Sequence, residues 1–198
     1  MKYYIKNALF GFAYLILMDL VSILTIMVES TFWKAVIGIA AILFYCFVIG
    51  TVYNKEGETA LDCLHSNDVQ RRRMVESGEI IPINTATEYK HYKGFIIGAF
   101  ICAPLVFLLL IHLIIGLASG GTLNGAGIVS TFVYFTFYVP YGAFHTETLV
   151  FGNYFVLLYA IVVTALTAGI AYILGAQKAQ RKYDMIERKH REIYGDKN

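Results

Sequence analysis

The chain has 198 residues, 58% of them hydrophobic and 15% charged, with a formal net charge of +2. Charged residues make up about a quarter of an ordinary soluble domain, so this balance excludes one. The near-neutral total gives no polybasic surface for nucleic acid. Three cysteines, Cys46, Cys63 and Cys102, fall in apolar runs or the central loop and supply no disulfide framework.

The first element is the apolar run 8–28, long enough to cross a hydrocarbon core of about 30 Å. Lys2 and Lys6 precede it as in a secretory signal, but the run exceeds a signal's apolar region. Val28-Glu29-Ser30 offers no small-x-small cleavage site, so the segment reads as a retained anchor. Near its middle sits one carboxylate, Asp19, with Ser22, Thr25 or Ile26, and Glu29 following at helical spacing. A charge at that depth costs at least a few kcal/mol, which makes Asp19 the chain's most informative residue. Only Glu29 to Trp33 separate this run from the next, 34–53, so the two spans should be adjacent and antiparallel.

The loop 54–93 mixes six basic with seven acidic residues. Ser66-Asn67-Asp68 reads as an N-cap ahead of a separate helix, VQRRRMVES, which Gly78 should end. Thr85-Ala86-Thr87-Glu88 has the form of a capping box, predicting that the third membrane helix starts near Ala86 and stands proud of the span 94–118. The outer loop 119–153 carries no Lys or Arg and opens with a glycine-rich linker. Its apolar, aromatic portion 128–139 is too short to span. The segment 128–151 reads as an interfacial or re-entrant hairpin turning at Pro140-Tyr141-Gly142, with the interfacial form favoured. The last span, 154–176, should continue as a helix into the basic tail 177–198.

With the N-terminus on the cytoplasmic side, fifteen of the sixteen Lys and Arg residues lie inside and only Lys34 outside, which sets the orientation. The expected fold is all-α: an integral membrane four-helix bundle in the plasma membrane, transmembrane domain 1–176, both termini cytoplasmic, with a re-entrant or interfacial outer segment. Small residues at four-residue spacing, Gly94, Gly98 and Cys102 against Ala160, Thr164 and Ala168, with Ala165 and Gly169, should let helices approach closely. Pro104 should kink the third span.

Measured from the outer helix ends, Asp19, Tyr45, His112 and Thr164 fall at similar depths, so with Ser22 they form a candidate polar layer for an ion or proton. Transport or channel function centred on Asp19 is the first reading. At this size the chain encloses little volume, so a homo-oligomer or membrane partner subunit is expected. A non-enzymatic accessory or scaffold subunit stands beside it. A lipid-processing enzyme comes third and would need Asp62, His65 and Asp68 to converge at the headgroups; His145 and Glu147 are a weaker pair. No catalytic residue, metal ligand set or cofactor is assigned. The basic tail is a candidate contact for anionic lipid or for the central loop.

Overall fold

The computed structural model describes residues 2–80, 82–118, 135–144 and 149–195, with the side chains of 26, 112, 116, 142, 144 and 149–154 left aside. The described residues are helical without a strand: α1 (Lys2–Ile23) followed by one 3₁₀ turn (Leu24–Met27), α2 (Thr31–Ser77), α3 (Lys93–Ala118), the short α4 (Phe135–Phe144) and α5 (Leu149–Tyr194). Four of these helices, all but α4, are long and apolar enough to cross a membrane. Their outward faces remain apolar, as at Leu20, Phe47, Phe107 and Phe155, which suits lipid rather than water as the surrounding solvent.

The core is built on tyrosines and branched aliphatics. Leu15, Tyr45, Ile49, Tyr53, Ile97, Ile101, Leu105, Leu157 and Tyr172 are all sealed from solvent. Small residues let the walls close. A Cβ on Gly98 would come within 2.9 Å of the Ala165 Cα, and Cys102 Sγ reaches the Ile161 carbonyl at 3.3 Å. The stripe 94–98–102 thus joins α3 to α5 inside one chain, where close approach is the main attraction available between apolar helices.

One level of the bundle is set by four contacts. Tyr53 donates from its hydroxyl to the Asn7 carbonyl at 2.7 Å, Tyr3 donates to Glu56 at 2.6 Å, Gly57 abuts the Tyr172 backbone, and Gly94 abuts the Tyr172 side chain. The start of α1, the start of α3 and the middles of α2 and α5 therefore lie side by side. Beyond that level α2 and α5 run on together, in parallel, as a two-helix stalk.

The stalk corrects two expectations. Residues 66–68 are not a cap, because α2 passes through them unbroken. Asn67 is buried there, and its side-chain amide donates to the Asn84 carbonyl at 3.1 Å and to Glu88 Oε1 at 2.8 Å. The capping box at 85–88 does not form either, and α3 begins at Lys93. Glu88 is taken by Arg71 and Asn67, the Tyr89 N–H bonds the Ala60 carbonyl at 3.0 Å, and Lys93 Nζ donates to the carbonyls of Ala86 (2.7 Å) and Glu88 (2.5 Å). Tertiary partners hold 84–92 as turns on the flank of α2 and outweigh the local helix signal. Tyr53, at the end of the second apolar run, is a core residue at 1% exposure. Gly78 does end α2, at φ 72°, with its N–H on the Met74 carbonyl, the left-handed closure glycine permits at least cost.

The tail helix continues α5 as expected. Its first turns lie on α2: Lys178 pairs with Glu58 at 2.5 Å, Tyr183 donates to Asp62 at 2.9 Å, and the His65 and Tyr183 rings sit 4.1 Å apart.

Candidate functional site

In α4 the expected turn at Pro140 is absent, since Pro140 lies inside the helix. Its neighbours reveal its course. Phe137 meets Tyr45 of α2 edge-on at 5.7 Å and Tyr159 of α5 at 5.8 Å, whereas Pro140 and Val139 lie against Gly38, nearer the start of α2. Thus α4 runs opposite to α2, from the interior of the bundle toward the end where α2 begins. Thr136 and Phe137 are sealed, and Val139 is buried. The described segment is thus packed among α1, α2 and α5 rather than laid on the outside of the bundle.

The first turn of any helix leaves N–H groups without intrahelical acceptors, and inside an apolar bundle no water supplies them. Here a neighbouring helix does. Asp19 Oδ1 accepts the Thr136 N–H at 2.9 Å, and Ser22 Oγ, one turn on along α1, donates to Thr136 Oγ1 at 3.1 Å. Thr25 closes the stripe by donating to the Ser22 carbonyl at 2.6 Å. Asp19 thus sets its carboxylate on a backbone N–H in the first described turn of α4, in the manner of a cap supplied from another helix. Its depth follows from the common level at Asn7 and Tyr53: Asp19 lies three and a third turns further along α1, or roughly 18 Å at the helical rise.

Asp19 is 4% exposed, and its second oxygen, Oδ2, has no hydrogen-bond partner among the described residues. A carboxylate so placed is half satisfied. A proton or a cation on Oδ2 would remove the remaining cost of burial. Pro140 has no N–H with which to bond the carbonyl four residues back, so the Thr136 carbonyl loses its ordinary helical donor as well.

The expected polar layer splits in two. Tyr45 and Thr164 do meet, their hydroxyls 3.4 Å apart between α2 and α5. They lie roughly 12 Å from the Tyr53 level, about 6 Å closer to it than Asp19, and neither bonds the carboxylate. Ser22 shares the Asp19 site through Thr136. His112 lies on α3, its side chain outside the described residues, as are His145 and Glu147. Thr136 is the residue that sequence reasoning missed. Its signal was a lone threonine in an aromatic run, which has meaning only once that run is known to start a buried helix.

Asp62, His65 and Asp68 do not converge. Asp62 accepts from Tyr183, His65 stacks on Tyr183 and faces Gln180 at 3.4 Å, and Asp68 pairs with Arg71 at 2.6 Å. Lys178, the nearer of its two lysine partners, holds the Glu58 carboxyl below its ordinary range.

Comparison with protein-family models, with curated proteins and with solved structures gave no match in any of the three. The functional reading rests on geometry alone.

Proposed function

We propose that the chain is a transport- or channel-type membrane subunit that handles protons or small cations at Asp19, with both termini cytoplasmic in a plasma membrane. The observation that carries this reading is the half-satisfied Asp19 carboxylate facing the buried start of α4. Short helices that begin at mid-depth are a recurrent way of building ion sites in membrane proteins, because irregular backbone is tolerated there only against protein or a wet cavity. Oδ2 supplies the negative oxygen that a proton or a cation requires. A homo-oligomer or a partner subunit would complete the path, since one bundle of this size is filled by its own side chains.

A second reading, an accessory or scaffold subunit, is favoured by the stalk. Past Tyr183, α5 projects Met185, Ile186, Ile193 and Tyr194 with more than half of each exposed. Under that reading Asp19 is only a cap.

Asp19→Asn separates the two, because the amide oxygen still accepts the Thr136 N–H while the charge is gone. The full chain is reconstituted in liposomes and proton, Na⁺ and K⁺ movement is followed with pH- and ion-sensitive dyes. Flux that is present in the wild type and lost in Asp19→Asn, with helicity and insertion unchanged, supports the ion-handling reading. Equal behaviour of the two proteins, together with loss of a complex on truncation after Tyr183, supports the scaffold.

A further inference from the structure

At the level where the stalk begins, α2 and α5 leave an open groove of about 560 Å³ between them, lined by Phe47, Gly50, Thr51, Asn54, Lys55 and Glu58 of α2 and by Ala171, Leu174 and Lys178 of α5. The α2 residues recur every three or four positions along one face, from Phe47 to Glu58, a strip of roughly 16 Å. Chemistry changes in order along it: aromatic and bare backbone at Phe47 and Gly50, hydroxyl and amide at Thr51 and Asn54, charge at Lys55, Glu58 and Lys178.

Two features open this groove and keep it charged. A side chain on Gly50 would meet nothing within 4 Å, so the glycine leaves a gap in the wall, whereas a Cβ on Gly57 or Gly175 would overlap backbone of the opposite helix. The helices are therefore in backbone contact at the charged end and leave room beside it. Glu58 pairs ionically with Lys178 at 2.5 Å and Lys182 at 3.6 Å, which keeps both ammonium groups near the mouth. With Lys55, three cations face one carboxylate, leaving two positive charges.

The level is that of a headgroup. Tyr3–Glu56 and Asn7–Tyr53 place the start of α1, with Lys2 and Lys6, beside residues 53–56 of α2, and Gly94–Tyr172 brings Lys93 to the same height. On one side of this lysine belt lie the apolar faces, and on the other the ion-paired stalk.

We infer that the α2/α5 groove is a site for one anionic phospholipid, its phosphate on Lys55 and Lys178 and an acyl chain along Phe47, Gly50 and Leu174. Charge complementarity selects the anionic headgroup, and the apolar end selects a lipid over a soluble phosphate. The inference needs the four long helices to cross a membrane but is independent of the role proposed for Asp19.

Native mass spectrometry of the delipidated full chain tests it, with phosphatidylglycerol, phosphatidylcholine of the same acyl chains, and glycerol 3-phosphate as probes. One phosphatidylglycerol is expected to bind about thirtyfold tighter than phosphatidylcholine, the preference two lysines at a membrane surface provide. Lys55→Gln with Lys178→Gln should erase that preference. Lys55→Arg with Lys178→Arg should keep it, and so should Lys2→Gln with Lys6→Gln. Gly50→Leu fills open space and leaves every charge in place, so it should weaken phosphatidylglycerol binding without unfolding; it carries the test alone if the lysine variants lose helicity. Equal affinity for the two lipids in the wild type overturns the inference. So does a preference that survives both the glutamine pair and Gly50→Leu, or displacement of the lipid by glycerol 3-phosphate at similar concentration.

Discussion

Where α2 and α5 pass through the apolar bundle, a Tyr45–Thr164 hydroxyl contact and packed side chains join them; below Tyr53 the same two helices are joined by Glu58–Lys178, Asp62–Tyr183 and His65–Gln180. The change follows the composition of the two helices, apolar up to the level of Tyr53 and charged beyond it. In lipid, charged pairs are costly to bury and attraction comes from close backbone approach and a few hydroxyls. Exposed ion pairs add little in water, so a small apolar cluster of Leu61, Ala176 and Ala179, with Leu64 and Tyr89 packed on it, and the turn segment on α2 hold the stalk, and the pairs line its surface. Between the two regions lies the junction at Gly57 and Gly175, where backbone meets backbone. The polar contacts of the bundle should therefore ignore added salt, while those of the stalk should weaken with it.

The junction is the place to break both regions at once. Gly175→Leu sets a side chain on the Asn54 carbonyl, and overpacking against backbone that cannot give should cost about 3 kcal/mol; thermal unfolding in detergent should show a lowered Tm and loss of protection in bundle and stalk together. Asn67→Ala should act on the stalk alone. It takes one donor from the Asn84 carbonyl and one from buried Glu88, for about 2 kcal/mol, and hydrogen exchange should rise across 84–92 but not in α1. Asp19→Ala, which leaves the Thr136 N–H bare, should cost about 1 kcal/mol, the ordinary worth of a helix cap. Asp19→Asn should cost less than Asp19→Ala, and neither difference should change with ionic strength.

The smallest effect is a pH dependence. Glu58 has its carboxyl held low by Lys178, so its contribution is fully present above the ordinary glutamate value of 4.5 and is lost as pH falls through the lower folded value. The distance between spin labels at positions 62 and 180 should broaden in acid, and Glu58→Gln should abolish that pH dependence.

Four apolar runs were legible as helices long and apolar enough to cross a membrane because a bilayer imposes length and composition directly, and the Gly94–Gly98–Cys102 stripe because close helix packing rewards small residues locally. The Gly78 stop was equally local. What escaped was set by partners distant in sequence. The Thr85–Glu88 pattern is a sound capping box in isolation, yet Arg71 and Asn67 claim Glu88 first. Tyr45 and Thr164 share a depth and do meet, but depth alone says nothing of α4, which stands between them and Asp19. Thr136 was invisible because the demand it meets, an acceptor for a buried helix start, exists only after folding.

The absence of any break in α2 and α5 as they leave the bundle has a mechanical consequence. Each is one stiff rod through the junction, with Tyr45 and Gly38 lying along α4 on one arm and His65 and Asp62 gripping Tyr183 on the other. With the glycine contact as fulcrum, anything that pries the stalk apart levers the opposite arms across α4, and so bears on the bond between Thr136 and Asp19.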